Sequence, residues 1–190
     1  MTETIQPIAE NPSLTVEKVE SLSHADMNDL CDSTIAAINS GGGFGWVKEP
    51  PRETLERYWH GVMVMPSRIL FIARLDTVIC GTVQLILQPP NNEAQRFSAQ
   101  ISTHFVAPWA RGYGLAKKLV EKAEGTALEK EYSVINLDIR ETQNAAIKLY
   151  ETMGYKKFGT HPFYAKVDNK IIRGIYYYKV INDEFFKQSL

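Results

Sequence analysis

The sequence of 190 residues has little cysteine, and its two cysteines, Cys31 and Cys80, lie far apart along the chain. This scarcity excludes a disulfide-framed scaffold and a cysteine-rich metal centre. The four histidines are scattered without the short spacings of a metal site, so we expect no metal cofactor. Two isolated thiols are typical of a protein in the reducing cytosol, and we expect a cytoplasmic location.

Net charge and long apolar runs are also lacking. The 21 basic and 22 acidic residues leave a formal net charge of -1, which is not the electrostatic footprint of a protein that binds nucleic acid or an anionic membrane. The most apolar stretch, residues 61–75, is interrupted by Pro66 and Arg68 and cannot span a bilayer. Residues 1–12 are polar and acidic, unlike a signal peptide. We therefore expect neither a nucleic-acid partner nor a membrane partner.

The length suits one domain with a sizeable core. We expect residues 1–13 to form a flexible arm and residues 14–190 to form the domain. Apolar spacings predict the order β-α-α-β-β-β-α-β-α-β-β, and the central strand–helix–strand unit predicts a parallel pair within a mixed α/β sheet. In the strand at residues 96–106, alternation predicts one face that carries Phe97, Ala99, Ile101, Thr103 and Phe105.

The stretch from Thr103 to Ala116 joins the end of that strand to a helix through a tight turn that contains Gly112 and Gly114. Such a turn gathers backbone N–H groups at the positive end of a helix dipole, where phosphates bind readily. Arg111 adds a positive charge, and the glycines have no side chain to hold a diphosphate away. The pattern favours a diphosphate cradle over an ordinary glycine turn.

The turn carries a family resemblance. Arg111-x-x-Gly114-x-Ala116 resembles the acetyl-CoA-binding signature of the GNAT superfamily of N-acetyltransferases. Residues 144–155 resemble a second segment of that family, which combines asparagine, alanine, tyrosine and a glycine–aromatic pair, and they follow the turn at the expected distance. The resemblance covers nearly the whole chain, and its C-terminal half is similar to the tabtoxin resistance protein group. It implies a GNAT-like fold, with a mostly antiparallel sheet of about seven strands, one splayed parallel pair and flanking helices.

The resemblance also implies the activity, which is transfer of the acetyl group of acetyl-CoA to a primary amine by direct attack through a tetrahedral intermediate. Acetyl-CoA would be the co-substrate. Tyr150 is the expected general acid for the leaving thiolate, because family members place a tyrosine there for that purpose. The expected cofactor-binding residues are Phe105, Val106, Arg111, Gly112, Tyr113, Gly114, Leu115, Ala116 and Asn144; for Asn144 a simple helix cap is the alternative.

The general base departs from the pattern of the family. Many relatives carry a glutamate before the phosphate turn, where this chain has Gln100, and an amide cannot accept a proton from an ammonium group. Asp138, at the end of its strand and opposite the apolar face, is the leading replacement. His104 comes second because its ordinary pKa suits the task. The amine could also arrive neutral or lose its proton through water.

The acceptor is expected to be a small-molecule amine. Residues 41–51 form a glycine-rich and aromatic loop that fits neither a dinucleotide fingerprint nor a P-loop. Its aromatic residues either line an acceptor pocket or anchor the loop to the core. The candidate acceptor-binding residues are Phe44, Trp46, Gln100 and Tyr164. Two alternatives stay open, a protein N-terminal or lysine acetyltransferase and a non-catalytic acyl-CoA-binding module. The final strands could also pair in a homodimer.

Overall fold

The structure, a computed structural model, describes residues 12–42 and 44–187, so most of the expected arm at residues 1–13 lies outside the described residues. The helices and strands follow the predicted order, with one short helix added at the end. Their bounds are β1 Leu14–Val19, α1 His24–Ala37, α2 Arg52–Val64, β2 Arg68–Leu75, β3 Val78–Ile86, β4 Ser98–Val106, α3 Leu115–Glu129, β5 Val134–Arg140, α4 Asn144–Thr152, β6 Lys156–Val167, β7 Lys170–Val180 and α5 Asp183–Lys187. Within the described ranges no helix is long and apolar enough to cross a membrane.

The seven strands form one sheet in the order β1-β2-β3-β4-β5-β7-β6. All neighbouring strands run antiparallel except β4 and β5, which are parallel as predicted. The parallel pairing joins residues 98–100 to residues 134–136, at the start of both strands. The later parts of β4 and β5 lie on opposite sides of a cleft. The predicted mixed, mostly antiparallel sheet with one splayed parallel pair is therefore confirmed.

The sheet separates two hydrophobic cores. One core joins α3 and the start of β4 to β5, and it includes Leu119, Ala99 and Ile135. The other core joins α1 and α2 to β2 and β3, with Trp59 completely buried in it. Helices on both faces explain why the central strands are apolar on both sides, since neither face is left to water.

Local sequence explains where α1 begins. The hydroxyl of Ser23 accepts a hydrogen bond from the Asp26 backbone N–H at 3.1 Å, and the Asp26 carboxylate accepts one from the Ser23 backbone N–H at 3.4 Å. This reciprocal capping box satisfies two N–H groups that a helix N-terminus otherwise leaves without partners. At the other end α1 continues into a π-helical turn, Ile38–Gly42, in which Gly41 has a φ of 81°. The loop with Phe44 and Trp46 begins there.

The regular alternation predicted for β4 is wrong beyond Ile101. Thr103 has a φ of 51°, in a left-handed region that β-branched residues seldom adopt. Opposite it, Thr82 pairs with Phe105 and Gln84 pairs with Ser102, so one residue of β3 faces two residues of β4. This β-bulge transfers every later side chain to the other face.

The consequence is visible in the packing. Ala99 and Ile101 lie in the core beneath α3, as the alternation predicts, whereas Phe105 lies in the core beneath α1 and α2. His104, which a regular strand would direct toward α2, contacts residues of α3 and α4 instead. The bulge therefore decides which side chains of β4 approach the cleft from each face of the sheet.

Candidate functional site

The cleft between β4 and β5 has a volume of about 530 Å³. His104 and Tyr150 line it, and so do Asp138 and Tyr164. Phe44 of the loop that follows α1 also lines it. The structure thus brings all three proposed proton carriers and part of the proposed acceptor site to a single cavity, of a size typical of small-molecule sites.

A glycine turn joins the end of β4 to the start of α3. Gly112 and Gly114 have φ values of 91° and 76°, and Gly114 is the N-cap of the 15-residue helix α3. Among the described residues no side chain caps this helix. Its first N–H groups therefore lack the side-chain partner that most helices supply, and they lie at the positive end of the dipole. These features fit a diphosphate group.

Arg111, between the strand and the turn, reaches the loop that follows α1. Its Nε donates to the Val106 carbonyl at 3.3 Å, and its Nη2 donates to the Ser40 hydroxyl at 3.0 Å. The Gln143 side chain donates to the Gly41 carbonyl at 2.6 Å. Two bonds, from opposite sides of the cleft, therefore hold the loop in place. Arg111 keeps its charge beside the turn while it supports the loop.

His104 and Tyr150 form a buried pair. The Nδ1 atom of His104 lies 2.7 Å from the Tyr150 hydroxyl, and its Nε2 atom lies 3.1 Å from the Ala116 carbonyl oxygen. Burial lowers the pKa of His104 to about 4, although the bond to Ala116 opposes this shift. Burial also raises the pKa of the Tyr150 phenol well above its ordinary value, with a smaller contribution from the charge of Glu124. At neutral pH the imidazole is uncharged and the phenol is protonated.

Asp138 is the centre of a second polar cluster. Gln100 donates from Nε2 to Asp138 Oδ1 at 3.1 Å, and the Tyr164 hydroxyl donates to Oδ2 through a short hydrogen bond. Both donors are neutral, and the carboxylate lies on the cleft wall, which Arg140 and Lys166 also line. Burial, followed by the bond to Asp138, raises the pKa of Tyr164. Gln100, Asp138 and Tyr164, which the sequence placed on three different strands, are in direct contact.

Tyr164 reaches Asp138 by crossing β7. The register shift in β6 between His161 and Ala165 lifts the chain around Tyr164 out of the regular ladder. Its ring then lies against Gly174 of β7, where a Cβ atom would overlap the ring. The absence of a side chain at Gly174 is therefore what lets a residue of the edge strand reach a carboxylate two strands away.

The aromatic residues of the loop after α1 anchor it as well as lining a cavity. Phe44 stacks on Phe105 with ring centroids 5.3 Å apart, and Trp46 meets Tyr58 edge-on at 5.0 Å. Phe44 also lines the cleft, whereas Trp46 lines an adjoining cavity. The sequence left open whether these aromatic residues line a pocket or anchor the loop to the core, and Phe44 does both.

The other predicted cofactor residues surround the turn. Val106 and Leu115 bury their side chains, so only their backbone groups can meet a ligand. Ala107 donates its N–H to the Cys80 carbonyl at 2.7 Å, and because successive N–H groups of a strand point to opposite edges, the Val106 N–H points toward β5. Tyr113 is exposed. Asn144 is the exposed first residue of α4, since Gln143 takes the N-cap position.

A chain of hydrogen bonds that the sequence did not reveal ends at the bulge. Arg68 donates to Oε1 of the buried Gln84 at 2.7 Å. Gln84 donates from Nε2 to the Tyr58 hydroxyl at 3.0 Å, and this hydroxyl lies 3.3 Å from Thr103 Oγ1. A guanidinium group can only donate, so it fixes the amide and leaves the Tyr58 hydroxyl to donate to Thr103. No sequence signal marked these residues, because they come from four separate elements.

Metal-binding clusters and disulfides play no visible part in the site. In residues 12–42 and 44–187 no group of three histidine, cysteine, aspartate or glutamate side chains could hold a metal ion. Cys31 and Cys80 are free thiols, both buried, and burial raises the pKa of each to about 11. Neither cysteine lines the cleft. The polar side chains that line the cleft carry phenol, imidazole, carboxylate, amide and hydroxyl groups, together with the cationic groups of Arg140 and Lys166.

Comparisons with known proteins agree with this geometry. The profile of the acetyltransferase (GNAT) family matches residues 32–155. An uncharacterized N-acetyltransferase from the hisH-hisA intergenic region of Azospirillum brasilense is 52% identical over 130 residues, which cover 68% of this chain and 77% of that protein. An N-acetyltransferase structure from Staphylococcus aureus Mu50 has a TM-score of 0.75 at 18% identity and covers 90% of this chain and 99% of its own. A GNAT superfamily phosphinothricin acetyltransferase from Sinorhizobium meliloti, in complex with acetyl-CoA, has a TM-score of 0.70 at 15% identity and covers 88% of each chain.

The contact between Tyr164 and Gly174 can be tested by substitution. Gly174→Ala should lower the free energy of unfolding by about 1–3 kcal/mol, because the new methyl group overlaps a ring that is held by Asp138. Chemical denaturation measures this difference. Gly159→Ala is the matched control on the same hairpin, because its Cβ would meet only Tyr176, at 3.9 Å. Equal losses in both variants would show that Tyr164 does not press on Gly174.

Proposed function

The chain belongs to the GNAT family of acetyltransferases and is an acetyl-CoA-dependent N-acetyltransferase, and we propose that its acceptor is the primary amine of a small molecule. The observation that carries this proposal is that Asp138 and Tyr150 line the same cleft of about 530 Å³. Amine acetylation needs one group that takes a proton from the amine and another that gives a proton to the leaving thiolate. The two residues supply one group of each kind.

Acetyl-CoA supplies the acetyl group as a thioester, and the glycine turn with the start of α3 fits its diphosphate. We assign the diphosphate to the backbone N–H groups from Gly112 to Ala116, with Arg111 and Tyr113 beside them. Phe105 and Val106 of β4 contribute backbone groups to the proposed acetyl-CoA site, and Asn144 contributes its side chain at the start of α4. The Val106 N–H is the proposed donor to the thioester carbonyl, whose oxygen gains negative charge during attack.

Tyr150 is the proposed general acid. It lies beside the cleft, and the raised pKa keeps its phenol protonated at every physiological pH. A protonated phenol stabilises the leaving thiolate first by a hydrogen bond and then by its proton. The thiolate gains one proton and the amine loses one, so the overall reaction yields an amide and a free thiol.

Asp138 is the proposed general base. Its two hydrogen-bond donors, Gln100 and Tyr164, hold the carboxylate and its negative charge at one place on the cleft wall. An ammonium group that enters the cleft meets this charge and can transfer a proton to it, directly or through water. Gln100, the residue at the position where many relatives have glutamate, then acts by orienting the carboxylate that replaces the glutamate.

The proposed acceptor site lies between Asp138 and the loop after α1. Arg111 holds the loop through the Ser40 hydroxyl, and Gln143 holds it through the Gly41 carbonyl. The rings of Phe44 and Tyr164 supply apolar walls. A tethered loop beside a cavity of this volume suits a compact amine better than a protein segment. Mass spectrometry of an amine library with acetyl-CoA tests this proposal. Acetylation of peptides with no small amine accepted would favour the protein acetyltransferase alternative.

We also propose a cytoplasmic location and a single domain. Two buried free thiols fit a cytoplasmic location, and the shared sheet supports one acetyltransferase domain over residues 14–190.

The edge strand β6 exposes the side chains of Phe158 and Phe163, at 61% and 74% of their surface, and we propose that this strand pairs with a second copy in a homodimer. A monomeric mass in sedimentation at micromolar concentration would contradict the dimer.

Tyr150→Phe should reduce kcat by roughly 100-fold or more, the scale of general acid catalysis, because it removes the proton donor and keeps the ring. The affinity for acetyl-CoA, measured by calorimetry, should stay close to the wild-type value. Tyr178→Phe is the control, since Tyr178 of β7 lines neither cavity and has no proposed role in binding or catalysis. Unchanged turnover in Tyr150→Phe would remove the assignment.

Asp138→Asn should remove the acidic limb of the pH dependence of kcat/KM. A wild-type base gains activity as it loses its proton with rising pH, and an amide has no such titration. The measurement is a series of initial rates across the acidic range with a fixed acceptor. Survival of the acidic limb in Asp138→Asn would exclude Asp138 as the base and leave water or a neutral amine.

A further inference from the structure

His104 uses both of its ring nitrogens in the buried pair described above. The Ala116 carbonyl oxygen is an acceptor only, so the Nε2 atom that faces it at 3.1 Å must carry a proton. In the neutral ring the other nitrogen, Nδ1, then has a lone pair and no proton. The Tyr150 hydroxyl, 2.7 Å away, is consequently the donor in their hydrogen bond.

We propose that His104 is a positioning residue for Tyr150, accepting the phenol proton at Nδ1 in a tautomer that the Ala116 carbonyl fixes. The proposal rests on the proposed role of Tyr150 as general acid. It gives His104 a different task from the general base that the sequence suggested, because neither ring nitrogen is available to an amine.

The arrangement has two effects on the phenol. The hydrogen bond holds the Tyr150 oxygen at one place on the cleft wall, which lowers the entropy lost when the thiolate meets its donor. The lone pair on Nδ1 also keeps the single phenol proton on Tyr150 at rest. When the thiolate leaves, the O–H turns from Nδ1 to the sulfur and delivers that proton, and the proton lost by the amine restores the phenol through water. His104 thereby also connects the first turn of α3, which forms the anion cradle, with the acid on α4.

The surroundings of His104 keep the ring neutral. Tyr150 and the Ala116 carbonyl contact its nitrogens, Tyr155 packs edge-on against Tyr150 at 5.1 Å, and Glu124 of α3 pairs with Lys179 at 2.8 Å. None of these groups offers His104 a carboxylate that would stabilise an imidazolium ion. The pKa of about 4, lowered by burial, agrees with this geometry.

Two substitutions of His104 test the roles of its two ring nitrogens separately. The side-chain oxygen of His104→Asn can replace the acceptor at Nδ1, whereas the longer amide of His104→Gln reaches the Ala116 carbonyl and leaves Tyr150 without that acceptor. We expect His104→Asn to keep kcat within about threefold of wild type and His104→Gln to lose roughly tenfold, the effect of one hydrogen bond of ~1.4 kcal/mol. KM for acetyl-CoA should change little in either variant. Equal losses in both variants, or full activity in His104→Gln, would overturn the proposal.

A second measurement does not depend on activity. ¹⁵N NMR of histidine-labelled protein, with the His104 signals identified by their loss in His104→Asn, should show a neutral ring protonated at Nε2 from about pH 5.5 to pH 8. Its Nδ1 signal should move in Tyr150→Phe, because the hydrogen bond to that atom is lost. A ring protonated at Nδ1, or a signal unaffected by Tyr150→Phe, would contradict the proposal. This result stands even if no small amine is acetylated, so failure of the proposed acceptor class and failure of the His104 assignment are distinguishable.

Discussion

The early separation of two parallel strands is the constraint on which the rest of the structure depends. β4 and β5 pair only over residues 98–100 and 134–136, and the remaining length of each strand forms a wall of the cleft. In a fully paired sheet the backbone edge of β4 would bond to β5, and there would be no space for a ligand between the two strands. The separation is therefore what allows a residue of β5, Asp138, and a residue of α4, Tyr150, to approach one cavity from different sides.

The bulge at Thr103 determines which groups meet in that cavity. A threonine with a φ of 51° is strained by about 1–3 kcal/mol, and the hydrogen-bond chain from Arg68 through Gln84 and Tyr58 holds it there. Because of the extra residue, His104 faces α3 and α4, where it meets Tyr150. Phe105 faces the opposite core, where it stacks on Phe44. One irregular residue thus supports both the contact between His104 and Tyr150 and the packing of the loop that carries Phe44.

Much of this architecture follows from local sequence. Apolar spacing was sufficient for the order of the elements and for the parallel pair, and the glycines after Pro108 were sufficient for the turn that precedes α3, because each depends on residues close together in the chain. The orientation of His104 could not be predicted, since nothing in the run from Ser102 to Val106 marks a bulge. The contacts of Asp138 were equally hidden, because Tyr164 reaches it only through the irregular part of β6 and the space above Gly174. Sequence reasoning therefore found the candidate residues but not which of them act together.

Amide hydrogen exchange with and without coenzyme A tests the central claim most directly, because it reports on the backbone edge that the separated strands leave for the ligand. Saturating coenzyme A should slow exchange at the N–H of Val106, which points toward β5, and in the first turn of α3 from Leu115 onward. Exchange in β1 and β2, at the far side of the sheet, should not change. Unaltered exchange at Val106 and at the start of α3, with coenzyme A at millimolar concentration, would contradict the account.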